Sequence, residues 1–193
     1  ESGGPSRSVP ALCQALSAAG TEVDIITLDF GGGRSAVPGV AAHIPAMHLV
    51  RCRTSRHVPT LWFRNFRRRL VSSAASAAII HDTGAWLPTN HLAAKVAAQH
   101  RLPLVVSPRG MLAAWSLQHK ALRKRIAWGL YQRRDLSSAA LLHATSLPEA
   151  NDIQRLQLCR PIAVVPNGVE LPPFEQTATP DSLERQLLFL SRI

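Results

Sequence analysis

The sequence predicts an α/β fold built on a doubly wound parallel sheet, and two observations support this prediction. Short apolar runs rich in β-branched residues alternate with stretches whose apolar residues recur at helical spacing. The segment Leu102–Met111 holds a run typical of a strand buried on both faces, and it ends abruptly in Ser-Pro-Arg-Gly. No apolar run approaches the roughly 20 residues of a membrane-spanning helix. The length of 193 residues suits one domain, or one domain and part of another.

The first part of the chain predicts two helices and two strands. Pro5 suits the first turn of a helix whose apolar positions run from Val9 to Ala19, and Gly20 is a stop signal. Strands are expected at 23–28 and 48–52. A helix at 59–75 carries an apolar stripe among arginines, which fits a membrane-surface helix or, as the preferred interpretation, a helix packed on the core.

The remainder of the chain predicts strands and helices in strict alternation. The expected elements are a strand at 77–80, a helix at 88–100, the central strand at 102–106, a long basic helix at 117–136, a strand at 139–144, a helix at 149–158 and a strand at 161–165. Such alternation is typical of a parallel sheet whose crossover helices cover both faces.

Two titratable side chains follow strands of this sheet, and a glycine loop precedes its first helix. Arg109 follows the central strand and His81 the strand before it, so both are expected at the carboxyl edge, where open α/β sheets bind ligands. Gly3 and Gly4 open the first helix and suit either a phosphate or a simple tight turn. An arginine on a solvated loop and a histidine that caps a strand are the plainer alternatives, but the shared edge favours a functional site.

Charge and composition narrow the class of partner. Lysine and arginine exceed aspartate and glutamate by 22 to 12, a net charge of +10 that attracts phosphorylated substrates, anionic lipid or nucleic acid. Aromatic content of 5% is low for a surface on which bases stack, which argues against nucleic acid. Three isolated cysteines and eight histidines without metal-ligand spacing predict no disulfide framework and no metal site.

The composition changes near the end of the chain. Residues 1–170 are expected to form one domain, and the proline-rich stretch 171–185 is expected to be a linker. An apolar strand at 186–193 then begins a second domain. The glycine loop at the start and this lone strand at the end predict a fragment truncated at both ends.

The order of these motifs resembles family 4 glycosyltransferases of the GT-B fold, of the bacterial polysaccharide and cell-surface glycan type. The resemblance rests on five stretches spread over nearly the whole chain: Gly-Gly-Pro-Ser-Arg-Ser from Gly3, His-Asp-Thr-Gly-Ala-Trp from His81, Ser-Pro-Arg-Gly-Met-Leu from Ser107 with Trp115 after it, Pro-Asn-Gly-Val from Pro166, and Phe-Leu-Ser-Arg from Phe189. It implies a Rossmann-like N-terminal, acceptor-binding half, a linker, and the start of a donor-binding half.

The resemblance also implies a reaction and roles for individual residues. It implies a retaining, hexosyltransferase-type enzyme that moves a sugar from a nucleotide-sugar donor to a glycan or lipid-linked acceptor, without cofactor or metal. His81 would lie beside the donor sugar, Gly3 and Gly4 near its phosphates, and Trp86 and Arg109 on the acceptor side. Arg192 would neutralise the diphosphate leaving group, on which charge develops as the bond breaks. Because the rest of the donor half is missing, the fragment itself is expected to be inactive.

Two other functions remain open on the sequence. The same fold includes nucleotide-sugar epimerases, and a basic chain could also be a non-catalytic module that binds membrane or nucleic acid. The glycosyltransferase interpretation places the protein in the cytoplasm, with peripheral association at the anionic inner face of the plasma membrane and no nucleic acid as partner.

Overall fold

The computed structural model describes residues 5–29, 47–53 and 59–169, which form the expected α/β fold. The strands are β1 (Val23–Asp29), β2 (Met47–Arg53), β3 (Ile80–Thr83), β4 (Leu104–Ser107), β5 (Leu141–Ala144) and β6 (Ile162–Val164). The helices are α1 (Pro5–Ala18), α2 (Pro59–Ala74), α3 (Pro88–His100), α4 (Ala114–Gln118), α5 (Ala121–Ala127), α6 (Arg133–Ser138) and α7 (Leu147–Gln154). A π-helical turn, Trp128–Gln132, joins α5 to α6.

All strand pairs among the described residues are parallel. Strands β3, β4, β5 and β6 form one sheet in that order, with Ile80 opposite Leu104 and Leu142 opposite both Val106 and Ile162. Strands β1 and β2 form a second, two-stranded pair. The connections within the larger sheet contain helices, as parallel strands require. The prediction of a Rossmann-like parallel sheet with β4 inside it is therefore confirmed.

The core lies between the four-stranded sheet and its helices. Val96 of α3, Leu136 of α6, Leu142 of β5 and Ile153 of α7 are all essentially inaccessible to water. In α2, Phe66 and Leu70 are also buried in this core. These two described residues of its apolar stripe support the preferred interpretation of α2 as a helix packed on the core.

The strand predicted at 77–80 is shifted in the structure, and this changes the position of His81. Strand β3 runs from Ile80 to Thr83, so His81 lies within it rather than after it. The shift follows from the pairing with β4: the Ile80 amide donates to the Pro103 carbonyl, and the ladder continues from Leu104. Ile79, expected inside the strand, is largely exposed.

The long basic helix predicted at 117–136 is also wrong as a single element. The chain forms α4, turns at Lys120, and then continues through α5, the π-helical turn and α6. Lys120 adopts a left-handed backbone conformation with φ of 54°, which ends any helix that approaches it. Charge pattern and apolar spacing do not reveal such a turn at a lysine.

The linker expected at 171–185 and the strand expected at 186–193 lie outside the described residues, as do Gly3, Gly4 and Arg192. Among the described residues, no helix is long and apolar enough to cross a membrane.

Candidate functional site

Three neighbouring strands place polar side chains in contact at the carboxyl end of the sheet. His81 on β3, Ser107 at the end of β4 and His143 on β5 form a continuous hydrogen-bonded chain. His81 Nε2 lies 2.7 Å from Ser107 Oγ, and Ser107 Oγ lies 2.7 Å from His143 Nδ1. The chain ends at the backbone, where His143 Nε2 lies 2.9 Å from the carbonyl oxygen of Val165.

With both imidazoles neutral, a single arrangement of protons satisfies this chain. The Val165 carbonyl can only accept, so His143 donates to it through Nε2–H and keeps a lone pair on Nδ1. Ser107 then donates its hydroxyl proton to that Nδ1 and accepts from His81 Nε2–H. The lone pair of His81 is therefore on Nδ1. The chain leaves His81 with one nitrogen ready to accept a hydrogen bond from a ligand.

The surroundings of His81 keep it neutral. Burial of the imidazole, together with the smaller effects of the nearby His143 and Arg109, lowers its pKa to about 4. The residue still has a solvent-exposed side, while its Nε2 is directed to the fully buried Ser107. At neutral pH the group is thus a poor proton acceptor and a good hydrogen-bond acceptor.

Arg109 lies directly after β4, as predicted, in a strained turn. Its φ of 55° is left-handed, and Gly110 follows with φ of 76°, which glycine adopts at little cost. One guanidinium nitrogen donates to the Asn167 side chain, while Nε is buried without a protein partner among the described residues. Burial lowers the pKa of Arg109, and the nearby Glu149 carboxylate acts in the opposite direction.

Glu149 holds the Arg109 turn to the start of helix α7. One carboxylate oxygen accepts from the Gly110 amide at 2.7 Å, and the other accepts from both the amide and the hydroxyl of Thr145 at 2.8 Å. Burial acts to raise the pKa of Glu149, but these hydrogen bonds and the charge of Arg109 outweigh it and lower the pKa overall. The buried carboxylate is therefore ionised and fully used in positioning the turn.

Trp86, predicted on the acceptor side, is fixed by contacts with several elements. Its amide donates to Gln132 Oε1 at 2.7 Å, its carbonyl accepts from the Tyr131 hydroxyl at 2.9 Å, and its indole nitrogen donates to the Met111 carbonyl at 3.0 Å. Lys124 Nζ lies 5.5 Å from the centre of its ring. The half-buried ring is thus held rigidly after β3, with the π-helical turn as its main support.

A second polar cluster lies beneath this edge. Both carboxylate oxygens of Asp82 accept from Asn90 Nδ2 at 2.9 and 3.0 Å, and His91 Nδ1 lies 2.7 Å from Asp135 Oδ2. Burial raises the pKa of Asp82 to about 6, against smaller opposing effects of its hydrogen bonds. Asp82, Asn90, Gln132 and Asp135 line a small cavity closed by apolar side chains. This cluster stabilises the loop after β3 from below.

The structure brings together part of the site that the sequence predicted. His81 and Arg109 lie at the same edge of the sheet, close enough for the charge of Arg109 to lower the pKa of His81. Trp86 follows β3 nearby. Gly3, Gly4 and Arg192 lie outside the described residues, so their roles stay predictions.

Sequence reasoning missed Ser107, His143, Glu149 and Asn167. Ser146 and Glu149 form the Ser-x-x-Glu pattern of a helix start, which a search for capping boxes would have found. Ser107 and His143, which form the hydrogen-bonded chain with His81, carry no local signal, because a serine and a histidine inside apolar strands look like ordinary strand residues. Only the strand order brings them into contact.

Among the described residues, no group of three or more His, Cys, Asp or Glu side chains is placed to hold a metal ion. That no metal takes part stays a prediction.

Comparison with known proteins places most of the chain in one family. A family model described as a glycosyl transferase 4-like domain matches residues 3–168. No curated protein and no solved structure matches the chain.

Proposed function

Since the chain belongs to the glycosyl transferase 4-like family, we propose that it is a retaining, hexosyltransferase-type enzyme acting on a nucleotide sugar. The acceptor is a glycan or a lipid-linked glycan of polysaccharide or cell-surface assembly. This setting is cytoplasmic, with peripheral association at the inner face of the plasma membrane. The observation that carries the proposal is His81, neutral and fixed in one tautomer at the ligand-binding edge of the sheet.

The reaction breaks the bond between the anomeric carbon and the diphosphate oxygen, whose electron pair stays on the diphosphate. An acceptor hydroxyl oxygen forms the new bond to the same carbon, and its proton leaves with the nucleoside diphosphate or passes to water. His81 accepts a hydrogen bond from a donor-sugar hydroxyl through Nδ1 and so orients the sugar. With a pKa of about 4, it acts by positioning and not as a general base at neutral pH.

The remaining residues bind the two substrates. Arg109 and Trp86 line the acceptor side, where the guanidinium of Arg109 binds an oxygen of the acceptor. Gly3, Gly4 and Arg192 contact the diphosphate. No cofactor or metal takes part in this proposal.

The test is a nucleotide-release assay on the protein expressed from its complete reading frame. UDP-, GDP- and dTDP-sugars are supplied with and without a lipid extract, and product linkage is read by NMR. We expect release that depends on the extract, retention at the anomeric carbon, and a loss of about a hundredfold in His81→Ala. His100, at the end of α3 that is distant from this edge of the sheet, provides the matched control, His100→Ala, which should keep full activity.

Two results would contradict the proposal. A folded enzyme that releases no nucleotide from any of these sugars would exclude sugar transfer, and release without any acceptor, with the product still on its nucleotide, would indicate an epimerase.

A further inference from the structure

Helix α5 and the π-helical turn present apolar side chains to solvent. Leu122, Ile126 and Leu130 are 72%, 55% and 75% exposed. Their spacing of four residues places them along one face of the helix, and we call them the apolar stripe. Trp115 on the neighbouring α4 is 74% exposed as well. Contiguous large apolar residues on a surface mark a site of interaction.

Basic side chains border the apolar stripe. At about 100° per residue, Arg123 and Arg125 fall on opposite sides of it. Exposed cations surround the stripe along the segment: Lys120, Arg123, Arg125, Arg133 and Arg134. The sequence has no Asp or Glu between Asp82 and Asp135, and Asp135 is buried against His91. No carboxylate within the segment therefore neutralises this charge.

The opposite face of the same segment is anchored to the domain. Lys124 Nζ donates to both the carbonyl and the hydroxyl of Ser116. Gln132 is buried and accepts a hydrogen bond from the Trp86 amide, and the Tyr131 hydroxyl donates one to the Trp86 carbonyl. The apolar stripe is consequently presented outward by a fixed helix, so docking requires little ordering of the protein.

We infer that residues 115–134 form a docking surface for an anionic phospholipid bilayer, with the apolar stripe and Trp115 inserted among the acyl chains. The arginines would lie at the level of the anionic headgroups. A second copy of this chain fits less well, because two such surfaces would bring like charges together. Nucleic acid would satisfy the cations but would leave three aliphatic side chains without apolar partners. The inference rests on the proposed function only for its cellular setting.

Vesicle binding tests this surface without any sugar or acceptor. The chain is mixed with vesicles of phosphatidylcholine alone or with 30% phosphatidylglycerol, and binding is measured by co-sedimentation. We expect binding to the anionic vesicles only. The triple variant Leu122→Ser, Ile126→Ser, Leu130→Ser should bind at least about tenfold more weakly, because less apolar surface leaves water. Arg123→Gln and Arg125→Gln should each weaken binding about fivefold.

A matched control uses an exposed leucine and an exposed arginine elsewhere. Leu147 is 69% exposed and Arg160 is also exposed, so Leu147→Ser and Arg160→Gln should bind as the unmodified chain does. Tryptophan emission should shift to the blue on anionic vesicles, and Trp115→Phe should remove most of that shift. All the changed residues are exposed, so each variant is expected to fold, and circular dichroism verifies this.

Three outcomes would overturn the inference. Triple-variant binding equal to that of the unmodified chain would remove the stripe from the contact. A dimer in sedimentation that the triple variant abolishes would assign the stripe to a second copy. Duplex DNA that binds more tightly than anionic vesicles, with no effect of the leucine changes, would assign the surface to nucleic acid. Each of these is independent of sugar transfer, so a failure here leaves the proposed enzyme activity to its own assay.

Discussion

At the scale of single residues, His81 and Asp82 are neighbours whose displaced pKa values have opposite effects on how the folding stability changes with pH. Burial lowers the pKa of His81 from 6.5 to about 4 and raises that of Asp82 from 3.8 to about 6. Both side chains are thus held in their neutral forms over part of the acidic range. In the unfolded chain each returns to its ordinary pKa, so folding stability depends on pH at both positions.

The signs of the two contributions follow from which state binds more protons. As pH falls from 6.5 towards 4, the unfolded chain protonates His81 while the folded chain does not, so stability is lost. As pH rises from 3.8 towards 6, the unfolded chain ionises Asp82 while the folded chain keeps its proton, so stability is again lost.

Asp82→Asn should therefore become more stable relative to the unmodified chain as pH rises from 4 to 7, by roughly 1–3 kcal/mol. His81→Gln should become more stable relative to the unmodified chain as pH falls over the same range, because it removes the group that is hard to protonate. The measurement is denaturant unfolding of the three chains at pH 4, 5.5 and 7. Parallel curves for all three would contradict both displaced pKa values.

At the scale of elements, helix α7 stabilises the edge of the sheet through the side chain at its start. The Glu149 carboxylate accepts hydrogen bonds from the amides of both Gly110 and Thr145, and the Ser146 hydroxyl caps the same helix. The helix start and the turn after β4 are thus parts of one hydrogen-bonded unit.

Glu149→Gln should destabilise the fold by about 1–3 kcal/mol at neutral pH, since one amide N–H₂ of glutamine would face a backbone donor. The loss should shrink as pH falls below 4.5, because the unfolded chain then protonates Glu149 while the folded chain, with its lowered pKa, still keeps the carboxylate ionised. Thermal or denaturant unfolding measures it. On the same helix, Asp152 pairs with the largely exposed Arg155, so Asp152→Asn is the control and should change stability by no more than about 0.5 kcal/mol. Equal losses in the two variants would contradict a special role for Glu149.

The π-helical turn gives a second prediction, because it directs Gln132 inward. Gln132→Leu leaves the Trp86 amide without its acceptor in a left-handed turn with φ of 73°, and should cost about 1–3 kcal/mol. Near-ultraviolet circular dichroism should also lose signal as Trp86 is released. The exposed Gln118 at the end of α4 supplies the comparison, and Gln118→Leu should be within about 0.5 kcal/mol of the unmodified chain. An unchanged Gln132→Leu would show that Trp86 is held without the turn.

At this scale the sequence predicts the regular elements but not the contacts between residues that are far apart in the chain. The apolar run before Arg109 identifies the central strand, and the helical spacing of Leu92 and Val96 identifies the buried face of α3. The contact of Gly110 with Glu149 joins residues 39 positions apart, so no local pattern reveals it. The π-helical turn adds one residue to the winding of the helix and brings Gln132 and Tyr131 into contact with Trp86, and no local sequence pattern indicates it.

At the scale of the whole molecule, burial is concentrated in the four-stranded sheet. Leu104, Val106, Leu142 and Ala144 of β4 and β5 are buried, whereas the residues of β1 from Val23 to Leu28 are half-buried or exposed. Local stability follows buried apolar contact, so the two sheets should differ in how often they open.

Hydrogen exchange measured by mass spectrometry should show this difference. Amides of β4 and β5 should exchange at the rate of global unfolding, at least about a hundredfold more slowly than those of β1. Peptides covering α3, which packs on the same sheet, should behave like β4. Equal protection of β1 and β5 would contradict the ranking by burial.

The chain that leaves the larger sheet after β6 is tied to the candidate site at two points. The Val165 carbonyl sets the proton order of the His81–Ser107–His143 chain, and Asn167 holds Arg109. If residues 165–167 move, His143 loses the acceptor that fixes its tautomer, His81 loses its assigned lone pair, and the guanidinium is released in the same event. The position of the backbone after β6 therefore determines which nitrogen of His81 is free to accept a hydrogen bond.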